Sequence, residues 1–427
     1  MTVLPNGWKL AELNDLQSEE PRAITDGPFG SNLARAHYTA SGPRVVRLQN
    51  IGDGVFNDAR AHISQAHFET LRTHEVLPGD LLIASLGEVL PRACLAPASL
   101  GPAIVKADCI RVRLSRDVDP RWVMYSLQRP QVRRWADDSR HGVGRPRLGL
   151  KVIRQIPVPL PPLDEQRRIV DILEDHLSRL DAAASSVEAA ERRLIALRRS
   201  TLNALFSGSD YPRVPLRELV VGIEAGRSFG GSSHPASDDE WGIIKVSAMT
   251  WGTFRANENK AIASDRADAR YEINKGDLLI SRANTTAYVG ASVLVGEVRP
   301  RLLLSDKSLR ILAAPGVERE WLWRALSAPD ARSQMSAAAT GTKDSMRNIS
   351  QPALLNIELS AVPVTDQKAA VAISLEVETG IQRLTVDLEA AAVRGERLRQ
   401  ALLGAAFSGR LTGRATDIEM VEEMASV

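Results

Sequence analysis

Two long stretches of the chain carry apolar residues at every third or fourth position. From Asp164 to about Leu205 no glycine or proline intervenes, and Pro161-Pro162 bars a helix from running further back. The spacing predicts one helix over about 164–206, with Asp164 as its cap. A matching helix is predicted over about 365–407. In a heptad frame the first has Leu173, Leu180, Val187, Leu194 and Leu197 along one seam, and the second has Val377, Leu384, Leu388, Leu398 and Leu402. Neither helix can bury such a seam alone. The rest of the chain is patterned differently. Short apolar runs such as Val45–Leu48, Asp80–Ala84, Ile110–Leu114, Ile243–Val246 and Leu278–Ile280 are bounded by Gly, Pro, Asn and Asp, which predicts strands. Pro120–Leu127 and Arg319–Leu326 carry tryptophans and read as short helices, so each region is a compact mixed α/β module.

The whole pattern occurs twice. Residues 151–208 align without gaps on 352–409 at an offset of 201, placing Gln166 on Gln367 and Ala204-Leu-Phe-Ser-Gly208 on Ala405-Ala-Phe-Ser-Gly409. Upstream, Val45–Phe56 matches Ile243–Phe254 at an offset of 198, and Gly79–Ile83 matches Gly276–Ile280 at 197. A period near 200 is a tandem duplication of domains, far too long for a solenoid. The predicted order is a module over 1–150, a helical region over 151–209, a second module over 210–351, a second helical region over 352–413, and an acidic tail over 414–427.

Charge favours pairing of the two helices. The first begins acidic (Asp164, Glu165, Asp171, Glu174, Asp175) and ends basic (Arg192, Arg193, Arg198, Arg199), which suits its macrodipole and complements an antiparallel partner. The predicted fold class is therefore mixed α/β (α+β), with two similar globular modules separated by two long antiparallel coiled-coil helices in a pseudo-two-fold arrangement. A helix of about forty residues spans roughly 60 Å. Two modules so related would meet a duplex in opposite orientations, as readers of bipartite sites do.

Composition narrows the classes. With 427 residues, 44% hydrophobic and 25% charged, the chain should fold into more than one domain. It has no run of eighteen apolar residues and no signal-like start, which predicts a cytoplasmic protein without membrane contact. Cys94 and Cys109 are the only cysteines, too few for a disulfide framework or a cysteine zinc site. Net charge is only +2, but Arg129, Arg133, Arg134, Arg140, Arg145, Arg147, Lys151 and Arg154 crowd one stretch against Asp137 and Asp138, predicting a local positive patch. Phosphate and base-edge contacts call for Arg, Lys and Asn in loops beside the strands. The candidates are Arg35, Arg47, Asn50, Arg140, Arg145 and Arg147 in the first module, with Lys245, Arg282, Asn284, Lys343 and Arg347 in the second.

Catalytic motifs are sparse. There is no GxxxxGK[ST] loop, and the only Pro-Pro pair sits between leucines, unlike the base-gripping motif of an adenine methyltransferase. Glu258-Asn-Lys260, with Asp238, Asp239 and Glu240 upstream, resembles half of a nuclease metal site. A stand-alone metal-dependent nuclease and a coiled-coil scaffold without DNA binding are thus the competing classes. His62, His67 and His74 lack zinc-ligand spacing and read as surface or internally bonded residues. Trp8, Trp241 and Trp251 read as core or rim aromatics.

The run Ile156-Pro-Val-Pro-Leu-Pro-Pro-Leu-Asp-Glu-Gln-Arg-Arg-Ile169, followed by a long helix ending in Leu205-Phe-Ser-Gly208, resembles the specificity subunits of Type I restriction-modification systems. Asp26-Gly-Pro-Phe-Gly-Ser31 and both Gly-Asp-Leu-Leu-Ile segments resemble that family's target recognition domains. The resemblance implies a non-catalytic chain whose two modules each contact one part of a split, asymmetric sequence in double-stranded DNA. It also implies two modification subunits that bind AdoMet and methylate adenine, and restriction subunits that use ATP and Mg to cut DNA, with no cofactor in this chain. One departure is Ala361-Val-Pro-Val-Thr-Asp-Gln367, where Pro-Pro-Leu-Asp-Glu-Gln is not kept in the second copy.

Overall fold

The computed structural model describes residues 4–139, 147–208, 211–230, 234–250, 252–341, 344, 346–414 and 416–426. It divides into two compact units, one made of Met1–Val187 with Glu389–Val427 and the other of Glu188–Leu388. Each unit therefore holds a globular part together with a portion of both long helices.

In the first unit an antiparallel sheet runs in the order Ile24–Asp26, Cys109–Val112, Leu81–Ala84, Arg92–Leu95. Leu81–Ala84 is buried along its whole length, as an uninterrupted apolar strand must be. A second sheet, His62–Ile63, Tyr38–Val46, Ala103–Val105, Glu75–Val76, contains one parallel pairing, Tyr38–Val46 on Ala103–Val105. The second unit repeats this order with Val220–Ala225, Ser308–Ala313, Leu278–Ser281 and Ser292–Leu294, then Asn259–Ala261, Gly242–Ile244 and Leu302–Leu303. The duplication thus extends from sequence to strand order, including the parallel pair, here Gly242–Ile244 on Leu302–Leu303.

The long helices are Leu163–Phe206 and Val364–Ala406. Each is fastened near its start by one buried glutamine. Gln166 accepts a hydrogen bond from the Asp119 N–H at 2.9 Å and donates to the Pro161 carbonyl at 2.9 Å. Gln367 does the same for Glu318 at 2.7 Å and Val362 at 2.7 Å. The retained glutamine performs this task in both copies although the residues before it differ. At the far ends Phe206 is buried in one core with Trp321, and Phe407 in the other, where its ring lies 4.3 Å from that of Trp122. Trp122 meets Trp8 edge-on at 5.5 Å and donates its indole N–H to the Pro159 carbonyl at 2.8 Å.

Within each unit the helix portions lie antiparallel. In the first, Arg168 donates to the Thr412 carbonyl at 3.1 Å and Asp181 pairs with Arg399. In the second, Arg198 lies 3.9 Å from Glu378, and Leu205 and Phe206 share a core with Ala370 and Val371. Of the seam residues, Leu173 and Leu402 are buried and Leu180, Val187, Leu194, Val377, Leu388 and Leu398 are half-buried. Leu197 and Leu384 are 47% and 51% exposed. A straight helix drifts about 20° per heptad against a strict seven-residue repeat. Beside the frame, Leu202 and Leu205 on the first helix and Thr385 on the second are half-buried as well.

The acidic tail is itself structured. Thr416–Ser426 is a helix, and its Asp417 carboxylate accepts from the Thr412 N–H and hydroxyl, both at 2.7 Å, and from the Gly413 N–H at 2.6 Å. Val421 is buried in the first unit's core, with Met420, Met424 and Ala425 packed against it.

Replacing Gln166 by alanine leaves a buried N–H and a buried carbonyl unpaired, and Gln367→Ala leaves a half-buried pair unpaired. Each change should cost about 1–3 kcal/mol, read as a lowered urea midpoint for the unit that holds the residue. Burial pushes the Cys94 and Cys109 thiols from an ordinary 9.0 up to about 12. Both should resist thiol reagents at pH 8 until the chain is unfolded. A thiol whose folded value is raised contributes stability in full below about pH 9 and loses it as pH climbs toward 12. Thermal melts should therefore fall across that window, and less so in a Cys94→Ala, Cys109→Ala chain.

Candidate nucleic-acid interface

Both units build one crossing in the same way. In the first, the Leu148 N–H donates to the Ser85 carbonyl at 2.9 Å and Leu86 bridges Arg147. In the second, the Ile349 N–H donates to the Arg282 carbonyl at 3.0 Å, Ala283 faces Asn348, and Asn284 faces Arg347. The segment after the buried central strand thus meets the segment before the linker, and loop side chains from sequence-distant stretches converge there. Three of the second module's candidates, Arg282, Asn284 and Arg347, are brought together by this ladder.

A second loop is fixed by close backbone approach. A Cβ on Gly27 would sit 2.2 Å from the Lys106 carbonyl carbon, and one on Gly226 would sit 2.1 Å from the Ser305 carbonyl oxygen. Only glycine fits at either place. Phe29 follows, 45% exposed, with the Arg147 guanidinium 5.5 Å from its ring centre. Arg147 also pairs with Asp108 at 2.9 Å, so Asp26-Gly-Pro-Phe-Gly-Ser31 and the crossing lie side by side.

The remaining candidates are scattered. Arg35 is exposed on a short turn, Arg35–His37. Arg47 is half-buried and donates to the carbonyls of Arg60 at 3.2 Å and Ala59 at 3.4 Å. Lys245 is half-buried directly after Gly242–Ile244. Arg347 donates to the Gly341 carbonyl at 2.9 Å and to that of Ala339. Arg140, Arg145 and Lys343 lie outside the described residues.

Several readings need correction. Asn50 is wholly buried and offers nothing to a ligand: its amide donates to the carbonyls of Asn57 at 2.7 Å and Ala59 at 2.8 Å and accepts from the Arg47 N–H at 2.8 Å. It staples its own loop. The positive patch is also smaller than its arginine count implies. Arg129 is held by the carbonyls of Ser126 at 3.0 Å and Pro157 at 3.1 Å over the Phe407 ring, and burial pulls its pKa down to about 10. Arg133 pairs with Asp53, and Arg154 donates to Asn14 at 3.1 Å and the Ile24 carbonyl at 3.0 Å. Arg134 and Lys151 remain exposed.

The nuclease constellation does not assemble. Glu258 accepts from the Ser247 hydroxyl at 2.6 Å, while the Ser237 hydroxyl lies 2.8 Å from both the Asp239 and Glu240 carboxylates. Among the described residues no group of three or more His, Cys, Asp or Glu side chains could hold a metal ion. His62, His67 and His74 each bond a main-chain carbonyl, of Gly42 at 2.7 Å, Asn32 at 2.9 Å and Asp26 at 2.6 Å. Trp8 is core, Trp241 packs partly buried beside Phe229, and Trp251 lies outside the described residues. No helix among the described residues is long and apolar enough to cross a membrane.

Comparison with known proteins agrees with this architecture. The profile of the Type I restriction modification DNA specificity domain matches residues 102–187. The Type I restriction enzyme EcoEI specificity subunit of Escherichia coli is 29% identical over 153 residues, covering 35% of this chain and 26% of that one. The EcoKI specificity subunit of Escherichia coli (strain K12) is 24% identical over 279 residues, covering 61% and 58%. The chain thus spans between about a quarter and three-fifths of the length of these curated relatives. Among solved structures, a chain from a study of type I R-M complex assembly and conformational transition superposes with a TM-score of 0.74 at 20% identity, covering 96% of this chain and 100% of that one. The HsdS subunit from Thermoanaerobacter tengcongensis gives 0.55 at 19%, covering 96% and 98%. With its paired long helices and duplicated mixed modules the chain shares the fold of these solved structures, and in sequence it is similar to Type I restriction-modification specificity subunits.

Proposed function

We propose that this chain is the DNA-addressing subunit of a Type I restriction-modification complex. The modules over 1–150 and 210–351 each read one half of a bipartite, asymmetric site. The observation that carries the reading is the pair of equivalent crossings, Leu86 on Arg147 and Ala283-Asn284 on Arg347-Asn348, which share a frame and differ in the side chains it presents. Identical scaffolds with different lining suit a site whose halves differ. The chain supplies no catalytic group or cofactor. Modification subunits carrying AdoMet methylate adenine, and restriction subunits using ATP and Mg cleave.

The helical regions over 151–209 and 352–413 serve those subunits. Ile373, Leu375, Val386 and Val393 are 44–57% exposed on the second long helix. Apolar side chains left in water along a helix favour a protein partner over DNA.

Expression with a cognate modification subunit and AdoMet, followed by genome-wide adenine methylation mapping, should reveal one split motif. An assembled, active complex that methylates no such motif would refute the assignment. Asn284→Ala should relax preference at one position of one half-site by about 1–3 kcal/mol, or roughly ten- to a hundredfold, leaving the other half intact. Arg147→Ala should act on the opposite half. Asn50→Ala should instead lower the stability of the first unit, read by urea unfolding, without a selective change at any base.

A further inference from the structure

The second unit contains a cleft of about 620 Å³ whose lining includes Thr286 and Ala287, just past the ladder residue Asn284. One wall is the end of the first long helix, with Arg198 and Arg199. The other is formed by the helices Arg319–Ser327 and Pro329–Ala338, with Arg324, Arg332 and Ser333. Four arginines face a single lining carboxylate, Glu378, already held by Arg324 at 3.0 Å and lying only 3.9 Å from Arg198. Asp344 sits at the rim, accepting from the Thr286 hydroxyl at 3.2 Å. Arg324 is further answered by Glu320 at 3.1 Å.

Arg332 and Arg199 are not answered in this way. Arg332 is half-buried and donates to the Ala287 carbonyl at 3.1 Å, but it has no ion pair among the described residues, and burial lowers its pKa. Arg199 is exposed and likewise forms no ion pair among the described residues. A guanidinium withdrawn from water without a counter-charge is costly, and an arriving anion removes that cost.

The other copy of the fold serves as an internal comparison. Leu127, Pro130 and Arg133 align on Leu326, Pro329 and Arg332, and Arg399 aligns on Arg198 at the offset of 201. In the first unit Arg133 is neutralised by Asp53 and Arg399 by Asp181. The position matching Asp53 is Trp251 in the second copy, so the sequence has removed the carboxylate and kept the arginine. The same scaffold closes this charge internally once and leaves it open once.

We propose that the cleft is a phosphodiester-binding groove, with Arg332 and Arg199 gripping the DNA backbone beside the second module, so that the first long helix contributes affinity without reading sequence. Arginine presents a planar fork suited to phosphate oxygens, and the Ser333 hydroxyl on the same wall is a further donor. The inference rests on the DNA-addressing role proposed above.

The test needs no knowledge of the target. Binding of the full chain, assembled with its modification subunit, to a labelled duplex of random sequence is measured between about 50 and 200 mM salt. Arg332→Gln and Arg199→Gln should each flatten the slope of log affinity against log salt by about 1 and leave the methylated motif unchanged. Arg332→Lys should restore most of the slope, separating loss of charge from loss of the Ala287 tether, and Arg133→Gln should leave the slope as in the parent. An unaltered slope in both glutamine variants, or a changed motif, overturns the proposal. So does saturable tightening by inorganic phosphate, seen as a raised melting temperature, together with an unaltered duplex slope, since the groove would then serve a free anion. A parent complex that binds the duplex in a salt-dependent way while the variants match it refutes the groove alone. A parent that binds no duplex refutes the addressing role as well.

Discussion

Most of each long helix stands in water, and its integrity depends on how its two ends are fastened. Residues 181–186 and 389–394 are exposed throughout, so the middle stretches add little burial of their own. A helix of this kind gains little from propensity and must be held by tertiary contacts. At the start one buried glutamine spans a module N–H and a linker carbonyl, and at the end a phenylalanine fills an aromatic core. The glutamine fastenings involve no charge, so salt concentrations that weaken surface ion pairs leave them in place. Within each unit the helix portion and the globular part therefore share one core.

The duplication and the long helices were legible in the sequence because both depend on local pattern. Freedom from glycine and proline between Asp164 and Leu205, and the register of Gln166 on Gln367, carry over directly into the structure. Side-chain destinations were not legible. Arginine reaches far enough to bond carbonyls and carboxylates that only folding brings near, as Arg133 does with Asp53 and Arg154 with Asn14. A run of arginines therefore overstates free positive charge. Asn50 was misread because an asparagine in a loop beside a strand serves equally well as a staple and as a reader, and only burial distinguishes the two. The tail helix carried a signal that charge obscured: Met420, Val421, Met424 and Ala425 recur at helical spacing after Asp417.

The two copies illustrate how one scaffold takes on separate tasks. Strand order, the buried tryptophans Trp122 and Trp321, and the glutamine anchors are held in common. What differs lies at the rims. Phe29 stands exposed beside Arg147, whereas Phe229 is buried against Tyr271. Divergence confined to rims leaves the cores untouched, so the two halves can specialise at little cost in stability.

The glycines at 27 and 226 set a boundary on that freedom. Each marks a spot where two main chains touch so closely that no other residue can stand there, and the segment carrying Phe29 or Phe229 begins immediately beyond it. Whatever is spliced in after such a pinch point inherits a fixed departure direction. A change of side chains in that segment thus leaves its starting direction in place, with the glycine acting as a fixed socket.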